Sequence, residues 1–296
     1  MATLRNIRRR IVAVSNTAKI TQAMRMVSAA KLRRAQEAAW SARPYFSKME
    51  EMLSNLVESV GDDYTNPLLE KRKEVKNIAA VIVASDRGLC GSFNTNILRF
   101  ATRIIAEEFP KQFPGAKVHM ILVGRKSISN YKVENAVIFK KFPGIFQPLK
   151  FSAAKEIIED VKTGFVEGKF DKVVVFYNFF RNLISQVPSM INLLPIEPKK
   201  GIKVQEKYNI DYIFEPNRTT IIEELLPKHL DIQVWKTLLE SNAAEQAARM
   251  MAMENATRNA NDLVKHLGLV YNKERQAAIT KEMLEIVGGS NALRKA

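Results

Sequence analysis

The sequence predicts an α/β fold in which long N- and C-terminal helices form an antiparallel coiled coil, accompanied by a central open-sheet α/β domain. Two long helical patterns at opposite ends of the chain, and an alternation of apolar strands with amphipathic helices between them, carry this reading. The expected parts are residues 1–60, an N-terminal coiled-coil helix; 75–208, the central domain; and 209–296, a foot segment and the C-terminal coiled-coil helix.

The first helix spans Leu4 to about Val57, broken only at Pro44. Leu4, Ile7, Ile11 and Val14 share one face, and Ile20, Met24 and Val27 continue it after a shift. The central domain opens with Asn77 to Ala84, a continuous apolar run of the kind a buried strand needs, and a helix from Thr95 to Phe109 follows. A strand at Ala116 to Val123, a short helix near Lys126 to Tyr131, a strand around Val133 to Phe139, a helix at Ala153 to Val166 and a strand at Lys172 to Phe180 continue the alternation. Leu183 to Leu194 returns as an antiparallel partner, which completes a modest Rossmann-like open sheet. Pro195 to Lys207 reads as a polar connector.

The last helix covers Leu230 to Val287 with one glycine and no proline inside it. Small or apolar residues recur at Leu239, Ala243, Ala247, Met250, Met253, Ala256, Ala260, Leu263, Leu267 and Val270, a spacing nearer 3.5 than 3.6 residues, which favours a left-handed supercoil. At 1.5 Å per residue, roughly 58 residues of helix extend about 85 Å, far beyond the width of a compact domain. Such a helix needs a partner along its length, and the first helix is the one available.

With 46% hydrophobic residues, the 296-residue chain can bury a core and is not a disordered tract. No apolar run approaches the ~18 residues of a membrane span, and the start leads into a basic helix without an apolar signal region, so the expected origin is the cytosol. A single cysteine, Cys90, excludes an internal disulfide and a cysteine-rich zinc site, and His119, His229 and His266 are too scattered to form a metal set. The net charge of +15 is concentrated in the first helix, where eleven Lys and Arg residues between Arg5 and Lys48 face only Glu37. A stripe of that kind suits nucleic acid, an anionic membrane surface or an acidic protein cavity, and charge alone does not choose among them.

Ser85-Asp86-Arg87-Gly88-Leu89-Cys90-Gly91-Ser92 lies between a strand and a helix, where phosphate-binding loops sit. It lacks both the Gly-x-Gly-x-x-Gly spacing and the Gly-Lys-Ser/Thr ending, and no histidine lies near Cys90 to act as its base, so a tight structural turn is expected. No catalytic, cofactor or metal constellation emerges elsewhere. Glu107-Glu108 and Glu223-Glu224 are adjacent on helices and point apart.

Four ordered stretches resemble the gamma subunit of the F-type ATP synthase, of the bacterial type. They are Ile7 to Ile11 with Asn16 to Lys31, Ser85 to Gly91, Asp211 to Pro216, and Met251 to Ala260 with Tyr271 to Glu282 and Ile286 to Gly289. The resemblance implies a rotating central stalk whose coiled coil threads a hexamer of alpha and beta subunits, while the α/β domain lies near a membrane rotor ring of c subunits. ATP chemistry would then belong to the beta subunits, and this chain would be non-catalytic and cofactor-free. Arg275, Gln276 and Thr280 match upper-rod positions that contact beta, with Met24 on the opposing helix near a lower beta contact. Tyr212, Phe214 and Glu215 match the foot that meets the rotor ring and the epsilon subunit. Two departures stand out: Ser92-Phe93-Asn94 replaces the usual Gly-Leu-Asn, and the cysteine-bearing insertion of chloroplast relatives is missing. The implied location is peripheral, on the cytoplasmic face of a bacterial inner membrane, without membrane insertion. Two readings from other classes stand beside this one: a basic coiled-coil nucleic-acid-binding protein, motivated by the N-terminal charge, and a small enzyme on the Gly88 to Gly91 loop.

Overall fold

The computed structural model describes residues 4–60, 64–72, 74–130, 136–197, 215 and 217–295, with side chains for all of these except 58–60 and 291–295. In chain order the elements are α1 (Leu4–Val60), β1 (Asn77–Val83), α2 (Phe93–Arg103), a π-helical turn (Ile104–Glu108), α3 (Phe109–Gln112), β2 (Lys117–Val123) and α4 (Arg125–Asn130). There follow β3 (Ala136–Phe142), α5 (Phe151–Val166), β4 (Lys172–Phe180), β5 (Gln186–Leu194) and α6 (Arg218–Lys295). The chain divides into two compact units, Ala29–Arg249 and Met1–Ser28 with Met250–Ala296.

The larger unit is built on a five-stranded sheet of order β3-β2-β1-β4-β5, parallel except for β5. β1 lies in the middle because its sequence, NIAAVIV, is apolar at odd and even positions alike and can be covered on both faces. Ala79, Val81 and Val83 join α5, α6 and the end of α1 in one core, with Phe165, Phe170 and Leu238. Ile78, Ala80 and Ile82 face the opposite way, toward Ile97, Ala101 and Phe109 of α2 and α3. The predicted helix at Thr95 starts two residues earlier and reaches Gln112 by way of the π turn. Pro110 has no N–H to offer the preceding turn, and the helical ladder widens just upstream of it.

Asp171 ties the start of the sheet together. One carboxylate oxygen accepts the amides of Lys76 and Asn77, each at 2.8 Å, and the other accepts the Arg72 guanidinium at 2.7 Å. Burial pushes this carboxyl up, but those donors outweigh it and hold it below the ordinary carboxylate range. A depressed carboxylate contributes stability that is present above its unfolded pKa, about 3.9, and is lost as pH falls through the folded value. Asp171→Asn is therefore expected to lower stability at pH 7 and to flatten the wild-type decline below about pH 4. Urea midpoints across that range check it; parallel wild-type and variant curves would rule it out.

In the smaller unit, α1 and α6 pack antiparallel. Thr21 Oγ1 lies 2.7 Å from Thr257 Oγ1, while Arg25, one turn on, approaches Glu254, one turn back. Within the buried and half-buried positions a three-and-four alternation runs through Leu4, Ile7, Ile11, Val14, Ala18, Thr21, Arg25 and Ser28 on α1, and through Met253, Thr257, Ala260, Val264, Leu267, Tyr271, Glu274 and Ala278 on α6, with half-buried residues such as Ser15, Met24, Ala256 and Val270 flanking it. That is the heptad seam of a coiled coil.

Four expectations need correction. α1 is not broken at Pro44, and α6 starts at Arg218 and runs through Pro227, with the Asn217 side chain accepting the Thr220 amide at its start. The α1 stripe does not shift to Ile20 and Val27, which are 60% and 56% exposed. Counting onward from Val14 by four and three reaches Ala18, Thr21, Arg25 and Ser28, so geometry kept the register where apolar identity left it. For the same reason Thr257, Val264 and Tyr271 take the seam positions expected of Ala256, Leu263 and Val270, while Met253, Ala260 and Leu267 lie where expected.

Candidate functional site

The β1–α2 loop occupies the carboxyl ends of the parallel strands, where open α/β sheets bind ligands. Its residues are consumed internally. Ser85 Oγ exchanges hydrogen bonds with the Asn94 side chain, and the Asp86 carboxylate accepts the amides of Arg125 at 3.0 Å, Gly144 at 2.8 Å and Phe146 at 3.1 Å. One residue therefore links β1 to α4 and to the connection between β3 and α5. Leu89 holds a left-handed φ of 64° at the apex and is 64% exposed.

A nucleotide would need backbone N–H groups here, but the loop turns carbonyls toward α6. Arg249 Nη2 donates to the Arg87 oxygen at 3.1 Å and the Gly88 oxygen at 3.3 Å, and it pairs with Glu245 at 2.7 Å. A guanidinium thus takes up the loop's outward carbonyls. Cys90 is 2% exposed, packed with Phe93, Ala244 and Ala248, and burial pushes its thiol up, away from the thiolate that a nucleophile requires. Burial likewise raises the Glu245 carboxyl, against the opposing pull of Arg249. These features run against a nucleotide or a thiolate nucleophile at this loop.

Among the described residues no group of three or more His, Cys, Asp or Glu side chains could hold a metal ion, and no helix is long and apolar enough to cross a membrane. His119 is committed to the sheet, with Nε2 3.2 Å from Asn77 Oδ1.

Arg275, Gln276 and Thr280 lie on the exposed last turns of α6; the Thr280 hydroxyl donates to the Gln276 carbonyl at 3.0 Å. Beyond Thr280 the helix stays exposed through Ser290, including Met283, Leu284, Ile286 and Val287. Met24 is half-buried on α1, beside the Thr21 seam position. The structure does not gather these four into one pocket; they lie on two helices of one coiled coil. Tyr212 and Phe214 fall outside the described residues, while Glu215 is described and exposed. Sequence reasoning missed Glu245 and Arg249. Their spacing of four on a helix was visible, but their loop partners lie more than 150 positions away in the chain, and only folding brings them together.

The ATP synthase family model matches residues 3–293. The chain is 48% identical over 294 residues to the ATP synthase gamma chain of Chlorobium phaeobacteroides (strain BS1), covering 99% of each chain. It is 48% identical over 305 residues to that of Chloroherpeton thalassium, covering all of this chain and 99% of the relative. Among solved structures, the central stalk and c-ring of the Tetrahymena thermophila mitochondrial ATP synthase includes a chain with TM-score 0.56 and 25% identity, covering 80% of this chain and 99% of that one. A chain of the Euglena gracilis mitochondrial ATP synthase gives TM-score 0.66 at 23% identity, covering 98% and 94%, a likeness of fold. By a match running from one terminus to the other, this chain belongs to the ATP synthase gamma-chain family.

Proposed function

We propose that this gamma chain is the rotating central stalk of a proton- or ion-translocating F-type ATP synthase, carrying torque between a membrane ring of c subunits and the catalytic beta subunits. The chain itself is non-catalytic. The observation that carries this reading is the helix pair: a heptad seam joins α1 to α6, and α6 runs on into turns whose side chains are exposed on every face. The division into residues 1–60, 75–208 and 209–296 belongs to the same reading, as does a peripheral position on the cytoplasmic face of a bacterial inner membrane.

An asymmetric rod can bias three identical beta sites toward different nucleotide states only through contacts that differ with orientation. Those contacts must also be weak enough to release, since a deep well at one angle would stall rotation. Ala277 and Ala278 keep the end of α6 slim, while Arg275 and Gln276 offer directional hydrogen bonds. Arg275, Gln276, Thr280 and Met24 are the proposed beta contacts. Tyr212, Phe214 and Glu215 are the proposed contacts with the rotor ring and epsilon. The nucleic-acid alternative is set aside, because the relatives are ATP synthase gamma chains.

Arg275→Ala or Gln276→Leu is expected to remove about 1–2 kcal/mol of contact in one rotary state, slowing coupled ATP synthesis about 5–30-fold. Both side chains are exposed, so the isolated fold should keep its melting temperature. Reconstitution with alpha, beta, epsilon and the ring measures this. Wild-type synthesis rates in both variants would reject the residue assignments, whereas failure of the wild-type chain to join an alpha–beta assembly would reject the stalk reading.

A further inference from the structure

We infer that Arg249, locked to Glu245 one turn earlier on α6, is the mechanical joint that fixes the sheet to α6, so that torque enters the helix through the β1–α2 loop. This rests on the central-stalk reading. The Arg249 and Glu245 side chains are only 11% and 5% exposed. Burying such a pair costs desolvation that an apolar pair of similar volume would not, so net stability is a weak account of it. What the charges supply is direction. Apolar surfaces in contact can slide, whereas a guanidinium spanning a carboxylate and two carbonyl oxygens resists displacement along and around the helix axis.

Its placement fits a load path. Nη2 holds Glu245 and the carbonyls of Arg87 and Gly88, while Nη1 donates to Gln246 Oε1 at 3.3 Å, so the head group is tied to its own helix and to the loop. The next residue back from Arg87 is Asp86, whose three amide bonds pass the load to α4 and to the segment after β3. Beneath the loop, Ala244 and Ala248 let α6 lie close to Cys90 and Phe93. Loop and helix are therefore seated together and pinned at one buried charged point.

Cys90, the only cysteine, reports on this joint directly because it is buried beneath the loop. In the full chain, Arg249→Met keeps the apolar stem and Glu245→Gln keeps the shape. Each is expected to speed reaction of Cys90 with dithiobis(nitrobenzoate) at least tenfold, with Arg249→Lys intermediate. In the assembled enzyme, the ratio of loaded to unloaded rotation speed should fall several-fold in the same order, which general loss of stability would not produce. An unchanged Cys90 rate in Glu245→Gln, or in Arg249→Met if it folds, overturns the clamp. A faster rate with an undiminished rotation ratio overturns its role in torque and leaves the stalk reading standing. If the wild-type chain drives no rotation in the assembly, it is the stalk reading that fails.

Discussion

Replacing Gly124 with alanine is expected to destabilise the sheet-bearing unit by about 3–5 kcal/mol, the combined cost of backbone strain and overlap in a packed site. Gly124 directly follows β2 with φ at 89°, a conformation that side chains resist. A Cβ there would lie 2.1 Å from the Ala84 carbonyl oxygen and 2.9 Å from its carbon. Those atoms cannot retreat cheaply. The Ala84 amide donates to Val123, the Gly124 amide donates to Phe142, and the Lys126 amide donates to the Ser85 oxygen, so three strand ends are fastened around the glycine. The effect should appear as a fall of about 10 °C in the thermal midpoint. It should also loosen the β1–α2 loop, which starts at the obstructed carbonyl. A midpoint within about 2 °C of wild type would mean that the strand ends can part, and the account of this corner would be wrong.

The second large effect is expected from Leu263→Pro. Proline removes an amide donor and drives its ring into the preceding turn, costing about 3 kcal/mol or more in a helix interior. The chain already carries Pro44 within α1 and Pro227 within α6, so proline by itself does not end a helix here. Those two lie in the larger unit, where Leu53, Leu56, Leu226 and Leu230 are part of an extensive core that can offset the lost bond. Leu263 has no such support. It is 37% exposed, and its segment is held by a single seam of residues such as Ala260, Val264 and Leu267. Circular dichroism should record a loss of helix, and hydrogen exchange should lose protection after residue 263 while the strands keep theirs. Retained protection at residues 264–274 would sink the prediction.

Most of the architecture was legible along the chain because its signals are local. β1 could be read from an unbroken apolar run, and the long heptad-bearing helix α6 from the spacing of its small and apolar residues, of which Met253, Ala260 and Leu267 lie on the seam. The errors arose where residue identity and position disagree. Ile20 and Val27 look like core but face outward, while Thr21 and Ser28 look like surface but are buried, since a heptad seam is chosen by spacing and tolerates small polar residues. The exposed end of α6 was readable in part, because Arg275, Gln276 and Thr280 sit in a continuous stretch that resembles known gamma subunits.

By itself, then, the sequence determined the order and kind of the elements, the two long helices and the family, all of which depend on neighbours within a few turns or on an ordered set of motifs. Only the tertiary structure decided what the β1–α2 loop does. Whether a glycine-containing loop offers amides to an anion or carbonyls to a guanidinium depends on backbone direction and on what packs above it. Arg249, separated from Arg87 by 162 positions, settles that question through space.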